Sequence, residues 1–407
     1  MEKQNNVPKL RFPEFSDGWE VKKLGEVAEI GRGKSKHRPR DADFLFGGKY
    51  PFIQTGDVRK AELYLTEFTQ TYSEAGLKQS KLWDENTLCI TIAANIAETA
   101  ILKIKACFPD SIIGLIPKEN ETIVLFVKHL FDKFKIQIQS LSQGAAQDNL
   151  NQEKLSNIEF IFPTLPEQQK IATFLSTVDE KLQALKKKKS LLETYKKGVM
   201  QKLFSQEIRF KDDEGNDFED WEVKRLGEVT TYVDYRGKAP IKTEEGRFLV
   251  TAKNIKKGFI DYECSKEYVG ENDYANVMSK GLPAVGDILF TTEAPMGNVA
   301  QVDISDIALA QRVIKFRAKK VLSNLYLLHY MLSDIFQKAI SGKAIGTTVQ
   351  GISGKELHQI KISFPPLSEQ TKIANFLTAI DEKITKVDAQ IKQTELWKKG
   401  LLQQMFV

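Results

Sequence analysis

The densest positive charge in the chain lies at residues 32–40, which read RGKSKHRPR. Five of these nine residues are basic: Arg32, Lys34, Lys36, Arg38 and Arg40. Lys and Arg neutralise backbone phosphates, and Arg can also bind guanine through two hydrogen bonds in the major groove of DNA. The segment therefore predicts contact with nucleic acid, with a solvated loop that binds nothing as the alternative.

Weaker candidates for DNA contact lie in the second half of the chain, where basic residues are less dense. They are Arg236, Lys238, Lys253, Asn254, Lys343, Thr347 and Thr348. The first two follow a segment that corresponds to the one before residue 32, and the last three precede the second predicted long helix. A further run, Lys186 to Lys189, lies inside a predicted helix. A solvated helix face is the simpler interpretation of that run, and contact with DNA or an acidic partner stays open.

Residue patterns typical of catalytic and metal sites are missing from the sequence. Gly33-Lys34-Ser35 ends like a phosphate-binding loop, but Ala28 stands where that loop needs its first glycine. The four histidines and three cysteines lack the spacing of a zinc site, and no GxSxG motif occurs. We therefore expect no catalytic residues, no metal and no cofactor bound by this chain. A self-contained DNA-modifying or DNA-cleaving enzyme remains an alternative.

Length and composition indicate a soluble protein with two or three domains. The chain has 407 residues, of which 42% are hydrophobic and 28% charged, with a net charge of +5. Three scattered cysteines do not make a disulfide framework and favour a reducing cytoplasm. Residues 1–10 lack the apolar core of a secretion signal, and the longest mostly apolar run, 88–97, is too short to span a membrane.

The chain contains an internal duplication at an offset of 202 residues. Residues 19–27 (WEVKKLGEV) and 221–229 (WEVKRLGEV) match at eight of nine positions. Residues 162–181 and 364–383 match at 13 of 20 positions at the same offset. This period is too long for a solenoid, so each copy should be a domain-sized module. Between the matched blocks the copies differ widely, which predicts two related frames that carry different surfaces.

Each copy combines short strands with helices and ends in one long helix, so we predict a mixed α/β (α+β) fold. Strand-like runs occur at 88–92 and 287–291, and helical patches at 125–140 and 325–340. Prolines 163, 166, 365 and 366 then mark a break before a long helix.

The two long helices carry apolar residues at alternating spacings of four and three, which is the pattern of a coiled-coil seam. The seam positions are Ile171, Leu175, Val178, Leu182 and Leu185 in the first copy, and Ile373, Leu377, Ile380, Ile384 and Val387 in the second. Each seam needs a partner, so we expect the two helices to pair as an antiparallel coiled coil within the chain.

The repeated blocks resemble the specificity subunit of type I restriction-modification enzymes. The resemblance rests on PKLRFPEF at the start, the two WEVK(K/R)LGEV blocks, FPTLPEQQKIA and FPPLSEQTKIA, and GDILFTTEAPMGNVA at 286–300. It implies a first target-recognition domain in 1–150, a helical spacer region in 151–216, a second recognition domain in 217–352 and a second spacer region in 353–407. Each domain would read one half of a bipartite, asymmetric site in double-stranded DNA.

The resemblance also implies the partners of the chain. Its helices would set the unspecified spacer and dock two methyltransferase subunits, and restriction subunits would join. S-adenosylmethionine, ATP and Mg²⁺ would be bound by those partner subunits, and this chain would have no catalytic role. A coiled-coil adaptor that binds proteins only is a further alternative, in which the basic segments would be incidental.

Overall fold

The computed structural model describes residues 7–93, 95–141, 150–237, 240–346 and 350–407. The chain forms two compact units, one made of residues 1–187 and 388–407 and the other of residues 188–387. Each unit therefore contains one globular domain, part of the long helix that follows it and part of the other long helix. Among the described residues, no helix is both long enough and apolar enough to cross a membrane.

The domain of the first unit is a mixed α/β fold. Its strands are β1 Glu20–Lys23, β2 Ala28–Arg32, β3 Phe46–Phe52, β4 Tyr64–Leu65, β5 Gln70–Tyr72, β6 Leu82–Trp83, β7 Leu88–Thr91, β8 Thr99–Leu102, β9 Ala106–Cys107, β10 Ile112–Pro117 and β11 Glu159–Phe162. Its helices are α1 Leu24–Val27, α2 Thr55–Lys60, α3 Glu74–Lys78, α4 Val124–Ser140 and α5 Gln152–Ser156. The strands form sheets in the orders β2-β10-β7-β8-β4, β5-β3-β9-β6 and β1-β11.

The domain of the second unit is built in the same way. Its strands are β12 Glu222–Arg225, β13 Thr230–Asp234, β14 Lys242–Thr243, β15 Arg247–Val250, β16 Tyr268–Val269, β17 Ile288–Thr291, β18 Val299–Gln301, β19 Ile307–Leu309, β20 Val313–Ala318 and β21 Lys361–Phe364. Its helices are α7 Leu226–Val229, α8 Glu271–Val277, α9 Asn324–Leu332, α10 Asp334–Ser341 and α11 Gly354–His358. The sheet orders are β13-β20-β17-β18, β14-β16-β15-β19 and β12-β21.

The two domains share one topology although their inserts have little sequence in common. The antiparallel order β2-β10-β7-β8 recurs as β13-β20-β17-β18, and the parallel pair β3 and β9 recurs as β15 and β19. Strands β7 and β17 are buried along their whole length, which explains why three of the four residues in each strand are apolar. The prediction of a duplicated mixed α/β fold is confirmed.

One predicted helical patch differs from the structure. The sequence pattern at 325–340 reads as one patch, but the structure divides it into α9 and α10 at Ser333. The backbone of Ser333 is extended, and its hydroxyl accepts a hydrogen bond from the Phe336 amide at 3.4 Å. Ser333 therefore caps a new helix, which is the role that serine fills well at a helix start.

The two long helices are α6 Leu165–Phe204 and α12 Leu367–Met405, each about 60 Å long at 1.5 Å per residue. In the first unit, α6 contacts α12 through Asp179 with Lys398 and, further along, through Lys186 with Glu395. Residue numbers rise along one helix as they fall along the other, so the helices pack antiparallel, as the sequence predicts.

The predicted seam positions are mostly buried, and they pack against the domains as well as the opposite helix. Leu185 and Ile384 are half-buried, and the other eight positions are buried. Ile171 and Leu175 share one core with Phe126 of α4 and with Leu401 near the end of α12. In the second unit, Ile373 and Leu377 likewise share a core with the α9 helix. The heptad-like pattern thus joins each helix to a globular domain.

Candidate nucleic-acid interface

The basic segment 32–40 follows strand β2 and is held in place where it leaves the sheet. The Lys34 amide donates to the carbonyl of Phe108 at 3.1 Å, and the Lys34 carbonyl accepts from the Ser80 hydroxyl at 2.8 Å. The His37 amide donates to the Gln79 side chain at 2.9 Å. These contacts fix the path of the segment, so its cations are presented by an ordered backbone.

The five cations of this segment differ in their surroundings. Arg32 donates to the backbone carbonyl of Asp110 at 2.5 Å, and Arg40 forms an ion pair with the Asp110 carboxylate at 2.7 Å. Arg38 donates to carbonyls of its own loop. Lys34 and Lys36 are exposed, and no described carboxylate forms an ion pair with them. Their ammonium groups are therefore the ones most available to a phosphate.

In the second domain, Arg236 lies just beyond the end of strand β13. Its position is similar to that of Arg32 in the first domain, which is the last residue of strand β2. Its Nε is 2.9 Å from Oδ2 of Asp234, and this hydrogen-bonded ion pair raises the pKa of the Arg236 guanidinium. Lys280 donates to the carbonyls of residues 234 and 236 at 2.9 and 2.8 Å. The side chain of Arg236 remains 47% exposed. It is therefore held in one orientation yet open to solvent.

Further loops of the second domain meet close to Arg236. Gly354 lies against the Asp234 and Arg236 side chains, so that a Cβ at this position would be 3.1 and 3.3 Å from them. Residue 351 forms a β-bridge with Glu293, and Glu293 pairs with Arg312 at 2.9 Å. The structure thus places a second exposed arginine, Arg312, on loops that converge on Arg236. Sequence reasoning missed Arg312 because only its packing against the loop of Glu293 places it there.

The remaining predicted contacts lie elsewhere or outside the described residues. Lys343 is exposed and pairs with Glu356 at 3.0 Å. Lys253 is exposed beside a turn that ends in the buried Asn254. Lys238, Thr347 and Thr348 lie outside the described residues.

Asn254 differs from the other candidates because its side chain is fully buried. Its Oδ1 accepts hydrogen bonds from the amide and hydroxyl of Thr251, at 3.0 and 2.8 Å. Its Nδ2 donates to the carbonyls of Asp261 and Ser265 at 2.9 and 2.8 Å. These bonds occupy the amide, so in this conformation Asn254 shapes the turn that carries Lys253 and has no free group for a base.

The repeated FPxLxEQ blocks tie each domain to the start of its long helix. The Glu167 carboxylate, buried to 1% exposure, accepts from Arg11 at 2.8 and 2.7 Å. The fully buried Glu369 accepts from Arg209 at 3.3 and 2.7 Å. The neighbouring Gln168 donates to the carbonyls of residues 121 and 163. Two arginines that precede the repeated WEVK blocks in sequence are therefore anchored at equivalent glutamates.

One buried cluster in the first unit has the composition of a metal site. His129, Asp132 and Asp179 bring their ligand atoms within 4.8 Å of one another. Lys398 already contacts Asp179 at 2.6 Å and Asp132 at 3.4 Å, and Lys128 pairs with Asp132 at 2.5 Å. Two ammonium groups thus balance the two carboxylates, and we assign the cluster as an ion-pair network.

Comparison with known proteins places this sequence in a family. The family described as type I restriction modification DNA specificity domain matches residues 16–194 and again residues 218–395. The putative type I restriction enzyme MjaX specificity subunit of Methanocaldococcus jannaschii is 27% identical, with 98% of this chain and 95% of that protein covered. The type I restriction enzyme EcoKI specificity subunit of Escherichia coli is 19% identical, with 92% of this chain and 84% of that protein covered.

A solved structure has the same fold. The S subunit of a type I restriction-modification system from M. genitalium superposes with a TM-score of 0.63 at 15% identity, covering 98% of this chain and 99% of that one. Because the two family matches cover both copies of the duplication, the chain belongs to the family of type I restriction modification DNA specificity domains.

Proposed function

We propose that this chain is the DNA-recognition subunit of a type I restriction-modification complex, in which each globular domain reads one half of a bipartite, asymmetric site. The observation that carries the proposal is that two domains of the same topology belong to a DNA specificity family yet present different loops. The chain supplies recognition and not catalysis, in agreement with relatives that are named specificity subunits.

The loops that follow β2 and β13 carry different side chains, which supports the proposal that the two domains read different half-sites. The first carries five cations within nine residues, whereas the second carries Arg236 held by Asp234 and approached by the loop of Arg312. Bases are distinguished by the donors and acceptors placed in the groove, so different side chains select different bases. Two identical loops would instead predict a palindromic site.

The exposed cations supply the contacts to phosphate in this proposal. Lys34, Lys36, Lys253 and Lys343 act on the DNA backbone, whereas Arg32, Arg38, Arg40 and Arg236, with Lys238, Thr347 and Thr348, are candidates for base or backbone contact. Asn254 takes a supporting role because its amide is occupied inside the turn. Contacts of this kind make binding fall with salt, since each neutralised phosphate releases counterions.

The paired helices set the unspecified spacer and dock two methyltransferase subunits in this proposal, and restriction subunits join them. An exposed aromatic residue recurs at the same place in both helices, Tyr195 at 52% exposure and Trp397 at 48%. Aromatic residues are enriched at protein interfaces, and two equivalent positions suit two copies of one partner. S-adenosylmethionine, ATP and Mg²⁺ belong to those partner subunits.

For exchange experiments we propose the boundaries 1–150, 151–216, 217–352 and 353–407. The proposed boundary at 352 lies ahead of helix α11, and that at 217 lies ahead of strand β12. An exchange of residues 217–352 therefore keeps both long helices intact.

The function is tested by mapping DNA methylation in cells that express this chain with a methyltransferase subunit of the same system. We expect a two-part methylated motif with a fixed spacer that is missing when this chain is omitted. A complex that assembles and methylates without any motif would favour the protein-only adaptor. Methylation or cleavage by the purified chain alone, with S-adenosylmethionine, ATP and Mg²⁺ supplied, would favour the self-contained enzyme.

A further inference from the structure

The two long helices make the same polar contact in both units. In the first unit, the Lys398 ammonium of α12 lies 2.6 Å from the Asp179 carboxylate of α6. In the second unit, Lys196 of α6 lies 2.5 Å from Asp381 of α12. The offset of 202 residues relates Asp179 to Asp381 and Lys196 to Lys398. Each pair thus joins the C-terminal half of one long helix to the N-terminal half of the other.

A buried histidine of each globular domain completes this contact. His129 of α4 has its Nδ1 4.0 Å from Asp179, and its Nε2 lies 3.4 Å from the Ser176 hydroxyl. His329 of α9 repeats the arrangement, with Nδ1 4.0 Å from Asp381 and Nε2 near the Thr378 hydroxyl. Three elements therefore meet at each pair, namely a domain helix, its own long helix and the opposite long helix.

The two contacts differ in how much they are enclosed. In the first unit, Asp132 and Lys128 extend the network, and the Asp179 side chain is only 8% exposed. Leu328 and Leu332 stand at the corresponding places in the second unit, where Asp381 is 40% exposed. Loss of Lys196 therefore leaves a carboxylate that water can still reach, which makes the second contact the better one to test.

Apolar packing in the middle part of the helix pair is uneven, because Val387 and Ile391 of α12 are buried whereas α6 contributes half-buried side chains. There Leu185 and Leu192 are only half-buried, and the buried Thr394 interrupts the apolar pattern of α12. Apolar contacts are non-directional, whereas the two partners of a charge pair meet at only one alignment of the helices. Polar residues in coiled-coil seams specify the register for the same reason.

We infer that the Lys196–Asp381 and Lys398–Asp179 pairs are register pins, positioning residues that hold the helices at the alignment required by one spacer length between the two half-sites. This inference rests on the proposed function, because a spacer exists only if each domain reads a half-site. One base pair adds about 3.4 Å along the DNA and rotates the half-site by about one tenth of a helical turn, so a loosened joint must yield by that distance and that rotation to accept a neighbouring spacer.

The test compares Lys196→Met and Asp381→Asn with the wild-type chain. Lys197→Met is the matched control, since Lys197 is the exposed neighbour on the same helix. The exchange Lys196→Glu/Asp381→Lys reverses the pair and should restore it. The readout is single-molecule methylation mapping in cells that also express the methyltransferase subunit, scored as the fraction of methylated sites whose spacer is one base pair longer or shorter.

We expect both half-site sequences to be retained and the fraction with altered spacers to rise roughly fivefold in the two single variants. The reversed pair and the Lys197→Met control should match wild type. An unchanged spacer in both single variants would overturn the inference. So would a loss of all methylation in both, because the pair would then support folding or assembly rather than register. A wild-type chain without a two-part motif would instead refute the proposed function before any variant is compared.

Discussion

The anchor between Arg11 and Glu167 gives a stability prediction whose size follows from burial. The Glu167 side chain is 1% exposed, and both of its oxygens accept from Arg11, at 2.8 and 2.7 Å. Removing one partner of a buried ion pair leaves a charge with neither water nor counterion, which costs about 3–5 kcal/mol. Arg11→Met should therefore lower the free energy of unfolding of the first unit by that amount.

The double variant Arg11→Met/Glu167→Leu distinguishes the cost of a stranded charge from the value of the pair. Replacing both partners by apolar residues removes the charge that would be stranded, so this variant should be close to wild type in stability. The ion pair between Lys170 and Glu14, at 53% and 47% exposure, serves as the control, and its loss should cost about 1 kcal/mol or less.

The assay is urea unfolding followed by tryptophan fluorescence and circular dichroism, with the free energy taken from the transition of the first unit. The reasoning is refuted if Arg11→Met costs no more than the exposed control. It is equally refuted if the double variant is as unstable as Arg11→Met alone.

Three further predictions concern pH, salt and packing. Burial lowers the pKa of His329 from 6.5 to about 3. Between these values the unfolded chain takes up a proton at this histidine and the folded protein does not, so the free energy of unfolding falls as the pH is lowered from 6.5 towards 3. His329→Gln should flatten the pH dependence of unfolding in that range, by an amount on the order of a few kcal/mol, and equal slopes in both proteins would contradict this. Lys34→Ala and Lys36→Ala should each reduce the slope of log binding constant against log salt by about 1 in the assembled complex, measured by DNA titration at several salt concentrations; unchanged slopes would remove these residues from the phosphate contacts. Leu175→Ala should cost about 2–5 kcal/mol in urea unfolding because its side chain is fully buried, whereas the exposed Leu191→Ala should change stability by about 0.5 kcal/mol or less.

Much of the fold follows from patterns that are local in sequence. The duplication predicts two equivalent domains, and the spacing of Ile171, Leu175 and Val178 predicts a long helix with one buried face. The same spacing does not say what covers that face. In the structure, it packs against its own globular domain as well as the opposite helix, because Phe126 and Leu401 reach it from distant parts of the chain.

The candidate interface is harder to predict because it depends on loops. Charge density makes the 32–40 segment a candidate, and the structure adds how this segment is anchored. Asn254 has the residue type of a base-reading side chain, but the turn around it encloses its amide. Arg312 is the opposite case, since nothing near it in sequence indicates that its partner is Glu293 and that both lie near Arg236. The turn at 251–265 therefore sets the first outcome, and contacts between loops that are separate in sequence set the second.

The exchange of residues 217–352 tests most directly the claim that each domain reads one half-site. The segment is replaced by the corresponding domain of a related specificity subunit with a different target, and the methylated motif is mapped with the same methyltransferase subunit. Our account predicts that one half of the motif changes while the other half stays as in the wild type. A change in both halves, or in neither, while the complex still assembles and methylates DNA, would contradict it.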